Sequence, residues 1–143
     1  MEEQIGKVFV NNHGAETTIE EVEKSPLVGV YCSASWCPPC RKFTEVLLEF
    51  YKTVNHDSKK LEIVLVPFDQ EADHYKDYFG KMPWLSIPHH SDKIKEFIKE
   101  HHINGIPQFF IFNSKDGKLI SKDGRKDIST EGEKAIDHWM KYV

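Results

Sequence analysis

"LEIVLVPF", residues 61–68, is apolar at nearly every position. A strand turns successive side chains to opposite faces, so such a run is favoured where both faces are covered, in the middle of a sheet packed between helices. "LVGVYCSA", residues 27–34, has the same character and reads as a second buried strand. Between them Phe43, Val46, Leu47, Phe50, Tyr51 and Val54 recur at the helical period of about 3.6 residues. The unit is β-α-β, and it commits the chain to an α/β architecture.

The flanking segments extend that unit. "EADHYKDYFGKM" keeps helical spacing through Ala72, Tyr75, Phe79 and Met82, and Ser91 is placed to cap a helix carrying Ile94, Phe97 and Ile98. "QFFIF" and "KLISK" flank the turn-forming "NSKDG" as an antiparallel hairpin, and a last helix covers "TEGEKAIDHWMKYV". Near the start, "KVFVNNHG" reads as a short strand and turn, and "ETTIEEVEKSP" as a short helix stopped by Pro26. The expected sheet has a mostly parallel core and an antiparallel edge. No repeat or linker interrupts the pattern, and 143 residues with 39% hydrophobic and 29% charged content suit one globular domain over residues 1–143.

A formal charge of −4 gives no electrostatic footing for nucleic acid or an anionic membrane. No apolar run approaches the roughly 20 residues that span a bilayer, and no basic segment leads into an apolar one at the start, so a cytoplasmic address is expected. Three cysteines are too few for a secreted disulfide framework. In a reducing compartment, any disulfide they form is transient and chemical in purpose.

Two of them sit in "SASWCPPCRKF", residues 33–43, where the buried strand meets the helix. A helix start offers unpaired N–H groups and the positive end of the helix dipole, which favour a thiolate at Cys37. Cys37 is the natural nucleophile. Cys40, one turn further in, is placed to resolve a mixed disulfide. Pro38 and Pro39 stiffen the turn between them. A structural zinc site needs two further ligands; there is no second CxxC, and His89-His90 and His101-His102 are adjacent pairs whose side chains diverge. A disulfide closing so short a loop contributes little stability, which disfavours a purely structural bridge. Cys32 reads as a small buried apolar residue without a chemical role.

"WCPPC" opening a helix, "KMPWL", "GIP" ahead of an apolar strand, and "DGKLISKDGR", in that order, resemble the thioredoxin superfamily, and within it the tryparedoxin and nucleoredoxin branch. The resemblance implies an α/β thioredoxin fold, with a central mixed β-sheet flanked by helices and an N-terminal β-hairpin extension. It implies dithiol–disulfide oxidoreductase activity, with Cys37 attacking and Cys40 resolving. Trp36 becomes a flat apolar platform, and Pro107 matches a cis-proline loop whose Ile106 backbone pairs with a bound substrate strand. Together with Pro38 and Pro39, these form the expected substrate-binding surface, to which Arg125 adds a basic group that draws anionic thiol partners. Tyr31 stands where typical thioredoxins carry a buried acid, so proton handling must differ from theirs. Phe68 and Gln70 replace the Trp and Glu of the tryparedoxin pattern while Asp69 is retained, which weakens the case for a polyamine-linked dithiol as reductant.

The combined expectation is a monomeric reductase of protein disulfides that needs neither metal nor cofactor. Its partners are disulfide-containing clients, a peroxiredoxin among them, and a thiol reductant or reductase. The alternative from another class is a redox-sensitive interaction module that uses the same disulfide as a switch.

Overall fold

The computed structural model describes residues 1–143. In chain order the elements are α1 (Glu2–Ile5), β1 (Val8–Val10), β2 (Glu16–Thr18), α2 (Ile19–Val22), β3 (Leu27–Ser33), α3 (Pro38–Val54), β4 (Leu61–Pro67) and α4 (Ala72–Phe79). There follow β5 (Leu85–Ser86), α5 (Lys93–Glu100), β6 (Gln108–Asn113), β7 (Leu119–Ser121), α6 (Gly124–Glu131), a 3-10 turn (Gly132–Lys134) and α7 (Ala135–Met140). All seven strands join one mixed sheet in the order β2-β1-β5-β4-β3-β6-β7.

The two apolar runs pair in parallel at its centre, from Leu27 against Leu61 to Ser33 against Pro67, and every residue of both strands is buried. Alternation along β3 sends Leu27 and Tyr31 into one core with Phe43, Leu47, Trp84, Phe109 and Trp139. It sends Val28, Val30 and Cys32 into the other, with Phe9, Val64, Phe97, Phe110 and Phe112. The sheet is therefore covered on both faces, as its central strands require. Gly29 lies under the ring of Phe109, where a Cβ would come within 2.5 Å of it, so the missing side chain is what lets the ring settle on β3.

Four sequence expectations need correction. Parallel pairing is confined to β3-β4 and β4-β5, and the other four pairings are antiparallel, so the core is less parallel than its apolar runs suggest. Glu16–Thr18 is a strand, and the helix expected over that segment shrinks to α2. The turn decides this: Asn11 Oδ1 accepts the His13 and Ala15 amides, Gly14 takes a φ of 83°, and the β-branched Thr17 and Thr18 fold back onto β1. The hairpin so formed is the N-terminal extension implied by the family resemblance. Third, the two-residue β5 was not legible; it is held between Val64–Leu65 of β4 and Val10 of β1. Fourth, the C-terminal helix is two helices, because α6 starts earlier, at an Asp123 cap whose carboxylate accepts the Lys126 amide, and Gly132 at φ 61° breaks the run. Ser91 stands one residue before the N-cap of α5, which is Asp92, and its hydroxyl accepts the Lys93 amide.

Candidate active site

The end of β3 delivers Ala34, Ser35 and Trp36 to the start of α3, and Cys37 is the N-cap of that 17-residue helix. The local sequence explains the geometry. Pro38 and Pro39 take the first helical positions, where a missing N–H costs nothing, so the first amide left to satisfy belongs to Cys40. It points back onto Cys37 Sγ at 3.3 Å. The Cys37 thiol also lies 3.8 Å from the Ile106 carbonyl oxygen, next to the cis Ile106–Pro107 peptide. All three cysteines are free thiols.

The sulfurs of the pair differ in their surroundings. Cys40 is fully buried, whereas Cys37 keeps 6% of its surface in contact with solvent. Burial and the hydrogen bond to Cys37 push the Cys40 thiol up from 9.0 to about 11, against smaller opposing effects of the Ala34 backbone and the Ser33 hydroxyl. Cys40 therefore stays protonated at neutral pH. Cys32, one residue before Ser33, faces the opposite core, where burial pushes its thiol up further. No group of three His, Cys, Asp or Glu side chains converges anywhere in the chain, so the pair has no third ligand with which to hold a metal.

The remaining sequence candidates surround the pair unevenly. Trp36 is 60% exposed beside Cys37, an apolar plate turned to solvent rather than packed into the core. Ile106 and buried Pro107 stand on the Cys37 side. Arg125 lies elsewhere: its guanidinium sits 6.0 Å above the Phe43 ring and lines, with Pro38, Pro39, Arg41, Lys42 and Val46, a groove of about 960 Å³ running along the start of α3. Trp36, Ile106 and Pro107 do not line that groove.

Sequence reasoning missed what holds the pair from beneath. Ser35 offers its amide to both oxygens of Asp69 and its hydroxyl to Oδ1, while Arg41 Nη1 donates to the Ser35 carbonyl at 2.7 Å. The loop before Cys37 is thus tied on both sides. Around Cys40 four hydroxyls form a chain: Ser33 to Tyr78 at 2.7 Å, Tyr78 to Thr44 at 2.8 Å, and Thr44 to Tyr31 at 2.7 Å. The Thr44 and Tyr31 hydroxyls also lie 2.9 and 3.0 Å from the Cys40 carbonyl oxygen, which accepts from one of them. Only Tyr31 was legible as a site residue; Ser33, Thr44 and Tyr78 carry no motif.

A thioredoxin-like family profile matches residues 25–119. The chain belongs to the thioredoxin-like family. Within it, the chain is similar to the tryparedoxin of Trypanosoma brucei brucei, at 38% identity over 124 residues that cover 83% of this chain and 85% of that protein. It is also similar to the nucleoredoxin of Xenopus laevis, at 36% identity over 127 residues, 88% of this chain but 30% of that protein. The chain spans about a third of the length of the nucleoredoxins it matches. A solved structure of tryparedoxin II complexed with glutathionylspermidine superposes with a TM-score of 0.80 at 29% identity, covering 90% of this chain and 88% of the other. The family and the tryparedoxin and nucleoredoxin branch are those implied by the sequence motifs, and the mixed, helix-flanked sheet is the fold that came with them. No helix of this thioredoxin-like chain is long and apolar enough to cross a membrane.

Proposed function

We propose that this chain is a dithiol–disulfide oxidoreductase that reduces disulfides in client proteins. The observation that carries the reading is the Cys40 amide donated to Cys37 Sγ at the capped start of α3, beside the Ile106 carbonyl. The amide is aimed at the sulfur before reaction begins, so no reorganisation is needed to place it during the chemical step. Cys37 attacks one sulfur of a client disulfide. The client S–S bond breaks with its electron pair on the second client sulfur, leaving a Cys37–client mixed disulfide. Cys40 then loses its proton and attacks Cys37 Sγ, which releases the client's first sulfur and closes the Cys37–Cys40 disulfide. An external thiol, or a reductase, reopens it by the same exchange.

Trp36, Pro38, Pro39, Ile106 and Pro107 form the surface on which the client segment lies, with the Ile106 backbone as the edge that receives an extended strand. Arg125, with Arg41 and Lys42, makes the adjoining groove attractive to anionic segments. The tryparedoxin similarity supports a small glutathione-type thiol as reductant and a peroxiredoxin among the clients. A polyamine-bearing thiol is less well matched, since the Asp69 carboxylate is occupied by Ser35 and exposed Gln70 carries no charge. The chain works as a monomer in a reducing compartment, the cytoplasm, without metal or cofactor.

Trapping tests the order of roles. Cys40→Ser retains mixed disulfides with clients because the resolving sulfur is gone, and Cys37→Ser retains none; equal trapping by both variants would overturn the assignment. Reduction of insulin disulfides separates an enzyme, which turns over with excess reductant, from a redox-switched interaction module, which reacts once per chain.

A further inference from the structure

Three loops leave the sheet side by side at the edge that carries Cys37, because β3, β4 and β5 are neighbours and run parallel. β3 leads into Ser35, β4 into Asp69 and β5 into His89. The first two loops are tied by the Asp69 carboxylate, which takes the Ser35 amide and hydroxyl. The second and third are tied by His89, whose Nε2 stands 2.7 Å from the Asp69 backbone oxygen. A carbonyl oxygen only accepts, so Nε2 carries the hydrogen and donates it. No backbone amide reaches that oxygen. Asp69 is therefore held from both sides, its carboxylate by the loop before Cys37 and its peptide by the loop after β5.

The His89 ring is fixed for that contact. It stacks on Tyr75 of α4, with centroids 4.9 Å apart and planes 15° from parallel. Tyr75 is anchored in turn by its hydroxyl, 3.0 Å from Ser86 Oγ on β5, and by stacking on Phe79. Stacking alone does not call for an imidazole, since a phenyl ring offers the same kind of face. The other ring nitrogen carries a penalty: Nδ1 is buried and meets no donor. An imidazole here leaves a buried acceptor unmatched, which a phenyl ring would avoid, and what it gains in return is the hydrogen bond from Nε2 to Asp69.

We propose that His89 is a positioning residue for Cys37 in the exchange cycle inferred above, a role that stands only if that cycle does. Its Nε2–H holds the Asp69 peptide where the carboxylate keeps Ser35, and with it the neighbouring Trp36 and Cys37, in place for attack on a client disulfide. The imidazole acts on the sulfur only through Asp69 and Ser35. Without the donor, the Asp69 peptide loses its partner and the carboxylate its fixed direction, so the loop before Cys37 keeps only the Arg41 tie on the Ser35 carbonyl. A reacting atom that is held less closely spends less time in the geometry that attack requires.

Two substitutions separate the ring from its donor. His89→Phe keeps a ring to stack on Tyr75 and removes the donor, whereas His89→Gln removes the ring and carries an amide N–H the same number of bonds from Cα as Nε2. For a positioning residue, rate follows the donor and stability follows the ring. His89→Phe is expected to keep its urea midpoint and to reduce subsaturating insulin, with excess dithiothreitol, about fivefold more slowly, while His89→Gln lowers the midpoint and stays within about twofold of the unsubstituted rate. In an Asp69→Ala background, His89→Phe is expected to slow the reaction no further, because the two residues act along one path. A proton–nitrogen correlation spectrum of the imidazole is expected to show Nε2 protonated and Nδ1 bare. An unslowed His89→Phe would overturn the role, as would His89→Gln as slow as His89→Phe, additive slowing on Asp69→Ala, or an imidazole protonated at Nδ1 alone. Failure of the unsubstituted protein to turn insulin over, with the Nε2 proton in place, would instead overturn the exchange cycle, and the role with it.

Discussion

Both carboxylate oxygens of Asp69 stand 3.1 Å from the Ser35 backbone nitrogen, and Oδ1 accepts the Ser35 hydroxyl at 2.7 Å. One buried side chain at the end of β4 thus fixes the loop that carries Trp36 and Cys37 at the end of β3. Asp69→Ala strands that amide and is expected to lower stability by about 1–3 kcal/mol, the cost of an unsatisfied buried donor. Asp69→Asn keeps one acceptor and is expected to lose less. Urea unfolding measures the difference, and an Asp69→Ala midpoint equal to that of the unsubstituted protein would sink the account. Insulin reduction by Asp69→Ala should slow as well, since the loop before Cys37 loses its tie.

Gly29 and Phe109 make a second close relationship. The ring rests where a Cβ would stand, at 2.5 Å, and makes edge contacts with Tyr31 and Trp139 at centroid distances of 6.1 and 6.3 Å. Gly29→Ala is expected to destabilise by about 1–3 kcal/mol through overpacking. Phe109→Leu removes the clashing ring edge, so the pair Gly29→Ala/Phe109→Leu should lose less than the two single losses added together. Strict additivity in thermal unfolding would show that the ring is not what Gly29 accommodates.

How much of this was legible depends on whether a residue's neighbours lie in its own segment. The central strands and α3 carry their burial in an unbroken apolar run or stripe, and the Cys37–Cys40 pair is adjacent in sequence, so both could be read directly. α6, "GRKDISTE", buries only Gly124 and Ile128 and shows no stripe to read. β5 exists because β4 and β1 lie on either side of it. Ser33 and Tyr78 are separated by 45 positions and meet only once β3 and α4 are packed. A serine and a tyrosine at those positions look like any polar residues, and nothing in a single sequence marks them as partners. Asp69 was noticed as a retained residue, but its partner Ser35 is supplied by the parallel pairing of β3 with β4.

Alkaline pH should unfold this chain sooner than its charge suggests. The Cys40 thiol is pushed from 9.0 up to about 11, and burial also raises the Cys32 thiol and the Tyr31 hydroxyl. Each of these groups holds its proton more tightly folded than unfolded. The unfolded chain therefore loses protons first as pH rises, and stability declines. Urea midpoints are expected to be level with respect to the thiols below about pH 8 and to fall from about pH 9 upward. Cys32→Ala, which removes one of the raised thiols, should shallow that fall. A midpoint that stays flat from about pH 8 to 11 would contradict the raised thiols.

Arg125 tests whether the groove beside the Pro38-Pro39 turn selects by charge. Its guanidinium is exposed, sits 6.0 Å over the Phe43 ring, and shares the groove with Arg41 and Lys42. An exposed cation–π contact contributes only about 0.5–1 kcal/mol, so Arg125→Ala should cost little stability. Its effect on encounter should depend on the charge of the substrate. Glutathione disulfide is anionic and dithiodipyridine is neutral, yet both are attacked by the same sulfur. Arg125→Glu is expected to slow the reaction of reduced protein with glutathione disulfide by about threefold to tenfold at low ionic strength, while leaving dithiodipyridine within about twofold. The gap should narrow at physiological salt, where the screening length falls to about 8 Å. Equal slowing with both disulfides would mean that Arg125 shapes the start of α3 rather than the field in front of it, and no slowing with either would remove the groove from the client-binding surface.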